Sequence, residues 1–320
     1  MLLRLVVIAL LFLPPAAGAT RQTPDPPTNG PLHSAIRSPQ SAILKLAVLD
    51  FGEAEAGRRA ADRVAGLLPQ AAGAAGVRLS LIDRGLSRAA ARGVGYRGSL
   101  NLSRREARDL GAAVGCDFLV TGDAQTLRRS PSERAAYFES YASVFVVSAR
   151  TGRLVLWERP AAEGATPEQA EAALAALLDA RAAARYLSAA AEAHAREERE
   201  PPEPAAPTGG AAPLDFSSEE GAGPGEGVRE PAPFRRLRPA YTEAAARAEA
   251  EATVDALVEL DETGAVVRVD IERWAGFGLD EAVAAAVRGM HFRPAERDGR
   301  PVPSRVLLRY NFRRPPPEKK

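Results

Sequence analysis

Three aspartates and three glycines are the residues whose types and spacing first suggest chemistry. Asp50, Asp83 and Asp123 each stand near the carboxyl end of an apolar run of strand length. In a parallel α/β sheet that edge is where ligands bind, and three carboxylates there could hold a cation. Aspartate is also favoured at those places because it caps the helices that follow strands. Gly93, Gly95 and Gly98 spell G-x-G-x-x-G. A dinucleotide site needs that motif directly after a strand and opening a helix, so that the helix N-terminus meets the pyrophosphate. Here it follows an Arg- and Ala-rich helical stretch and leads into Ser99-Leu100-Asn101, which reads as a loop. No G-x-x-x-x-G-K-[ST] occurs, so P-loop chemistry is excluded. There is no G-x-S-x-G, and His33, His194 and His291 are far from one another in sequence. With Cys116 the lone cysteine, no Cys/His zinc site and no internal disulfide can be assembled. The expectation is a protein without enzymatic activity, cofactor or metal.

Composition points the same way. The 320 residues carry 42 basic and 41 acidic side chains, a net charge of +1, which lacks the electrostatic footprint of a nucleic-acid binder. Hydrophobic residues make up 46% and charged residues 26%, so neither a wholly disordered chain nor a multi-span membrane protein fits. The length suggests about two domains.

The first residues address the compartment. Arg4 precedes the apolar run Leu5–Leu13, and Ala17-Gly18-Ala19 forms an A-x-A cleavage site. Nine helical residues span only about 14 Å where a bilayer core needs ~30 Å, and Pro14-Pro15 end the run. Residues 1–19 are therefore expected to be a cleaved signal peptide, with a short uncleaved inner-membrane anchor as the alternative. Residues 20–42 read as a disordered lead.

The elements that must position any site follow in two groups. Between 43 and 160, LKLAVLDF (44–51), VRLSLIDR (77–84), CDFLVTGDA (116–124), YASVFVVSA (141–149) and RLVLWER (153–159) read as strands. Helices fall between the first three, one opened by the capping box of Ser103 and Glu106, and Arg150-Thr151-Gly152 reads as a hairpin turn. The pattern predicts an α/β domain. Thr166 and Gln169 open a helix expected to run over 166–200 and to fray into solvent at its polar end. Residues 201–234, rich in Pro, Gly, Ala and Glu, read as a disordered linker. Residues 235–314 predict a small α+β domain, and 315–320 a tail. It holds a short helix (242–250), a strand with Val254, Ala256, Val258 and Leu260 on one face, and a strand with Val267, Val269 and Ile271 inward. A helix from Leu279 to Met290 and a last strand with Val306, Leu308, Tyr310 and Phe312 on one face complete it.

Residues 238–314 resemble the TonB carboxy-terminal domain family through PAYTEAA (239–245), VELDETGAVVRVDI (258–271), GLDEAVAAAVRGMHFRPA (278–295) and DGRPVPSRVLLRYNF (298–312). Thr242 departs from the proline that commonly follows the tyrosine, and Ala252-Thr253 stand where a glycine usually precedes the first valine. Residues 44–160 are similar to the exported CsgG/TolB-amino-terminal type through LAVLDF, LSLIDR, LGAAVGCDFLVTGDA (110–124) and TGRLVLWER (151–159). Together the resemblances imply a periplasmic cell-envelope protein that binds an outer-membrane β-barrel receptor or another envelope partner, with a link to TonB-dependent transport. A full energy transducer also needs an inner-membrane helix and a long linker, which the short amino-terminal run does not promise. The alternative is an oligomeric envelope assembly or secretion factor, with self-association through the α/β domain.

In the TonB family a partner's extended segment adds to the sheet beside the last strand, which would here be Ser304, Arg305, Val306, Leu307, Leu308, Arg309, Tyr310 and Asn311. An ordinary edge strand guarded by Arg305 and Arg309 gives the same pattern. Tyr241 and Trp274 are further candidates for partner contact, Trp274 with core packing as its other reading.

Overall fold

The computed structural model describes residues 43–132, 134–200, 213–217 and 227–314. The expected signal peptide, lead and tail, and much of the expected linker, lie outside the described residues. The fold is mixed α/β. It begins with β1 (Leu44–Phe51), α1 (Glu55–Ala75), β2 (Leu79–Leu81), α2 (Arg84–Gly93), α3 (Arg104–Val114) and β3 (Phe118–Arg129). Then come β4 (Tyr137–Ser148), β5 (Leu154–Glu158), β6 (Ala161–Gly164), α4 (Pro167–Leu177) and α5 (Ala180–Arg199). These strands form one sheet in the order β2-β1-β3-β4-β5, with β6 on the same edge of β4 as β5. β1 is parallel to β2 and β3, and the remaining pairs are antiparallel.

Burial explains the strand sequences. Leu44, Leu46 and Val48 enter one core and Ala47 and Leu49 the other, as a central parallel strand covered on both faces requires. The first core is closed by α1, α4 and α5. The second is closed by α2, α3 and the carboxy-terminal part of the chain, which supplies Trp274, Phe277 and Leu279. Both halves of the Ser103–Glu106 capping box are present. The helix expected over 166–200 is two helices, because Asp179 caps a new start by accepting from Ala182 N at 2.9 Å. Its end does not fray into solvent. Ala190 and Ala193 are buried against the sheet, and Glu197, 8% exposed, accepts from Arg150 and Thr151 of the β4–β5 turn.

The segment expected to be structureless contains β7 (Leu214–Phe216), β8 (Val228–Arg229) and β9 (Ala232–Pro233). After it come α6 (Glu243–Ala248), β10 (Ala252–Leu260), β11 (Val266–Arg273), α7 (Leu279–Arg288), β12 (Phe292–Arg293), β13 (Ala295–Arg297), β14 (Arg300–Val302) and β15 (Ser304–Phe312). The main sheet here runs β11-β10-β15-β7, and small sheets pair β12 with β9 and β14-β13-β8. β7, β8 and β9 each add to an edge that other residues create, so main-chain hydrogen bonding suffices and their own composition gives little sign of it.

Val254, Ala256, Val258 and Leu260 face the core as their alternation predicts. Val267 does not. The β10–β11 register passes from Glu259↔Arg268 to Leu260↔Val266, leaving Val267 as the extra residue of a bulge, 67% exposed. Val266, Val269 and Ile271 pack instead. Among the described residues no helix is long and apolar enough to cross a membrane.

Candidate partner-binding site

Among the described residues, β15 pairs with a strand on one side only along most of its length. Its antiparallel pairing with β10 is continuous from Ala252↔Phe312 to Leu260↔Ser304. On its other side β7 runs parallel to it, at Ser304↔Leu214, Arg305↔Asp215 and Val306↔Phe216 alone. Beyond Val306 no described strand covers that side. Two carbonyls identify which residues face it. Pro303 O accepts from Leu214 N at 3.0 Å, and Arg309 O accepts from the Arg236 guanidinium at 2.6 Å. Because a strand's backbone groups alternate sides, Arg309 and Asn311 turn their N–H groups to the open edge, while Leu308 and Tyr310 turn theirs to β10.

The side chains divide by the same period. Leu308 and Tyr310 are buried, and Ser304 is buried at the covered end. Burial raises the Tyr310 hydroxyl above its ordinary range despite the nearby Arg236, which lies over the ring at 5.0 Å. On the outward face, Arg305 pairs with Glu259 at 2.8 Å and Arg309 with Asp255 at 2.8 Å, each directly across from its partner on β10. Thr253 Oγ1 donates to Asn311 Oδ1 at 2.8 Å in the same register. These side chains are drawn toward β10, on the side away from Arg236.

Asp255 ties the edge strand to the rest of the molecule. It is 5% exposed and also meets Arg273 at 3.5 Å. Arg273 in turn reaches Glu106 of α3 at 3.0 Å and donates to Asn101 O at 2.7 Å. Burial works against ionisation of Glu106, yet hydrogen bonds from Ser103 and the Arg273 guanidinium hold its carboxyl below the ordinary range. A run of alternating charges, Glu106, Arg273, Asp255 and Arg309, thus connects α3 to β15.

Trp274 and Tyr241 are not at that edge. Trp274, 2% exposed, stacks on Phe145 of β4 with centroids 5.7 Å apart and sits between the two parts of the chain. Gly276 beside it must be glycine twice over: its φ is +73°, and a Cβ would lie 2.6 Å from the Phe145 ring. Tyr241, half-buried, donates to Ala250 O at 2.8 Å and leans on Phe312, so it steadies the α6 turn and the end of β15.

Two contributors to the edge were not singled out in the sequence. Arg236 lay in a run of arginines with nothing to distinguish it. Leu214-Asp215-Phe216 was the one apolar island in a Pro- and Gly-rich stretch, and that island was the available signal. Asn101, in a stretch that reads as loop, is a third. Its amide donates to Thr253 O and Trp274 O at 2.8 and 2.6 Å, and its Oδ1 accepts from Thr253 N at 2.9 Å.

The three aspartates do not converge. Asp50 is engaged by Arg84 and Arg88, Asp83 caps α2 by accepting from Leu86 N, and Asp123 accepts from Gln125 and Tyr141. Burial raises the Asp123 carboxyl, against those hydrogen bonds. Among the described residues no group of three or more His, Cys, Asp or Glu is placed to hold a metal. Gly93 closes α2 instead of opening a helix. Burial, with Asp117 adding to it, pushes the Cys116 thiol up to about 12, which leaves it unreactive near neutrality.

Among curated proteins none matches the chain. Three solved structures illustrate what resembles its parts. The TonB C-terminal domain of Pseudomonas aeruginosa aligns at 21% identity over 32% of this chain and 99% of its own, with a TM-score of 0.24. Hypothetical protein CT253 of Chlamydia trachomatis aligns at 13% identity over 46% of this chain and 99% of its own, with a TM-score of 0.30. The LpoB C-terminal domain of Salmonella enterica aligns at 14% identity over 39% of this chain and 85% of its own, with a TM-score of 0.25. The sequence of residues 238–313 matches the family described as Gram-negative bacterial TonB protein C-terminal, and this part of the chain is a TonB C-terminal domain.

Proposed function

We propose that the protein is a non-enzymatic cell-envelope protein that captures an outer-membrane receptor or another envelope partner by strand addition to β15. The observation that carries this reading is the backbone edge beyond Val306, uncovered by β7 and presenting Arg309 and Asn311. Strand addition draws affinity from main-chain hydrogen bonds and selectivity from the side chains that flank them. β7 already uses the first three positions in parallel, which supports the edge as one that accepts an added strand. A partner strand longer than the open stretch displaces β7. Membership of residues 238–313 in the TonB C-terminal family supports the envelope setting, and the apolar run before Ala17-Gly18-Ala19 fits export to the periplasm. The α/β part, read as CsgG/TolB-like, serves as the second docking body and the place of any self-association.

Full-length protein carrying Arg309→Ala or Arg309→Pro tests the reading. Asp255 keeps Arg273 in both, so neither strands a buried charge, and only proline removes the edge N–H. Immobilised wild type and Arg309→Ala should retain a β-barrel receptor from detergent-solubilised outer membranes, and Arg309→Pro should lose it. Retention by all three, or by none, contradicts strand addition at β15.

A further inference from the structure

Where β1 and β2 end, the chain leaves the sheet toward opposite faces. β1 runs into α1, which packs with α4 and α5, whereas β2 runs into α2, which packs with α3 on the other side. Adjacent strands whose exits part in this way open a crevice beyond their carboxyl ends, and doubly wound sheets bind ligands there. In this protein the crevice is a cavity of about 600 Å³, within the ~300–1,000 Å³ usual for small-molecule sites. Arg58 stands on the α1 side, and Arg88, Arg92 and Arg97 stand on the side of α2 and its following loop.

The charges in the cavity are unbalanced. Four arginines face Asp50 and Glu53, an excess of two positive charges. Asp50 is already matched by Arg84 at 2.6 Å and Arg88 at 2.9 Å. Arg58 donates to the backbone carbonyl of Glu53 at 2.6 Å. Among the described residues the guanidinium groups of Arg92 and Arg97 have no hydrogen-bonding or ionic partner. The loop that carries Arg97 is nonetheless fixed. Tyr96 OH donates to Ser99 O at 3.1 Å and meets Thr121 Oγ1 at 2.9 Å, and Gly95 and Gly98 take the left-handed conformations that the loop needs, φ +79° and +88°. The glycines of the G-x-G-x-x-G stretch therefore shape a loop that holds cations beside a cavity, a role different from a dinucleotide turn.

We infer that this cavity binds a small anion carrying at least two carboxylate or phosphate groups, held between Arg58 on the α1 side and Arg88, Arg92 and Arg97 on the side of α2 and its following loop. Guanidinium groups suit both oxyanions because their N–H fork matches two oxygens at once. Leu49, Ala91 and the Tyr96 ring give the ligand an apolar floor.

Isothermal titration of the full-length protein with citrate and, separately, with pyrophosphate tests the inference and distinguishes the two chemistries. One of the two should bind with one-to-one stoichiometry. The exposed double variant Arg92→Gln/Arg97→Gln should weaken it about tenfold or more, the weight of one or two charge-assisted hydrogen bonds. Arg105→Gln, which removes an exposed charge on α3, should leave binding unchanged. Thermal unfolding of each variant shows that it is folded. The inference is overturned if neither anion binds, if the double variant binds as wild type does, or if Arg105→Gln weakens binding to the same degree.

Discussion

The indole N–H of Trp274 donates to the backbone carbonyl of Gly152 at 3.1 Å, joining residues 122 apart in the chain. Gly152 lies in the turn between β4 and β5, and Trp274 follows β11 of the TonB C-terminal domain. The bond marks the place where the α/β sheet would otherwise be bare. Phe145 and Val147 point to that face of β4 and are fully buried there, under the loop that carries Trp274 and Phe277. Around it, Arg104 pairs with Glu272 at 2.7 Å, and Trp274 N donates to Leu102 O. The TonB C-terminal domain thus forms part of the third layer of the α/β sandwich.

Replacing the indole should therefore weaken the whole molecule. Trp274→Ala is expected to lower the unfolding free energy by about 3–5 kcal/mol, the cost of emptying a buried aromatic site. Trp274→Phe keeps the stack on Phe145 and loses the bond to Gly152, for about 1 kcal/mol. Urea unfolding followed by tryptophan fluorescence from Trp157 and by circular dichroism measures both. Equal stability of Trp274→Ala and wild type contradicts the shared core.

Asp280 makes that joint sensitive to pH. Its carboxylate accepts from Ala275 N at 2.8 Å and Gly276 N at 2.9 Å, holding the loop behind Trp274. Burial raises its pKa to about 6 even against those two hydrogen bonds. Its unfolded value is ~4, so between the two the folded protein binds a proton that the unfolded chain does not. The contribution of this group to stability is fully present below about pH 4 and is lost as pH rises through about 6, a change on the order of 3 kcal/mol. Asp280→Asn removes that dependence. The stability of wild type relative to Asp280→Asn should fall between pH 5 and pH 7.5 in urea unfolding, and a constant difference contradicts the assignment.

β7 gives a separate prediction at the edge. Leu214→Pro removes the N–H that donates to Pro303 O and should detach β7 from β15. Only this short pairing is lost, so global stability should change by about 1 kcal/mol or less. Receptor retention by the full-length protein should rise, because an incoming strand no longer has to displace β7. Reduced retention contradicts competition for one edge.

Local periodicity made most elements legible. The apolar run of LKLAVLDF, the alternation in TVDALVEL and the Ser103–Glu106 box each specify structure over a few residues, and the structure shows them so. What escaped reading depends on distant or backbone relations. The bulge that exposes Val267 is a register event between two strands, and side-chain type does not encode it. The break between α4 and α5 turns on a single cap, Asp179, in an Ala-rich run that favours helix throughout. β7 was hidden because an added edge strand needs three residues of backbone and little else. At the candidate site, the alternation of Val306, Leu308, Tyr310 and Phe312 made the buried face of β15 readable. Its outer face, tied by Arg309 to Asp255 and onward to Arg273, required the register with β10.

Residue-resolved hydrogen exchange on the full-length protein tests the open edge most directly. Leu308 and Tyr310, whose N–H groups turn toward β10, should be strongly protected, whereas Arg309 and Asn311 should exchange rapidly. Protection of Arg309 and Asn311 equal to that of their neighbours would mean that the edge is already covered, and strand addition to β15 could not be how this protein binds.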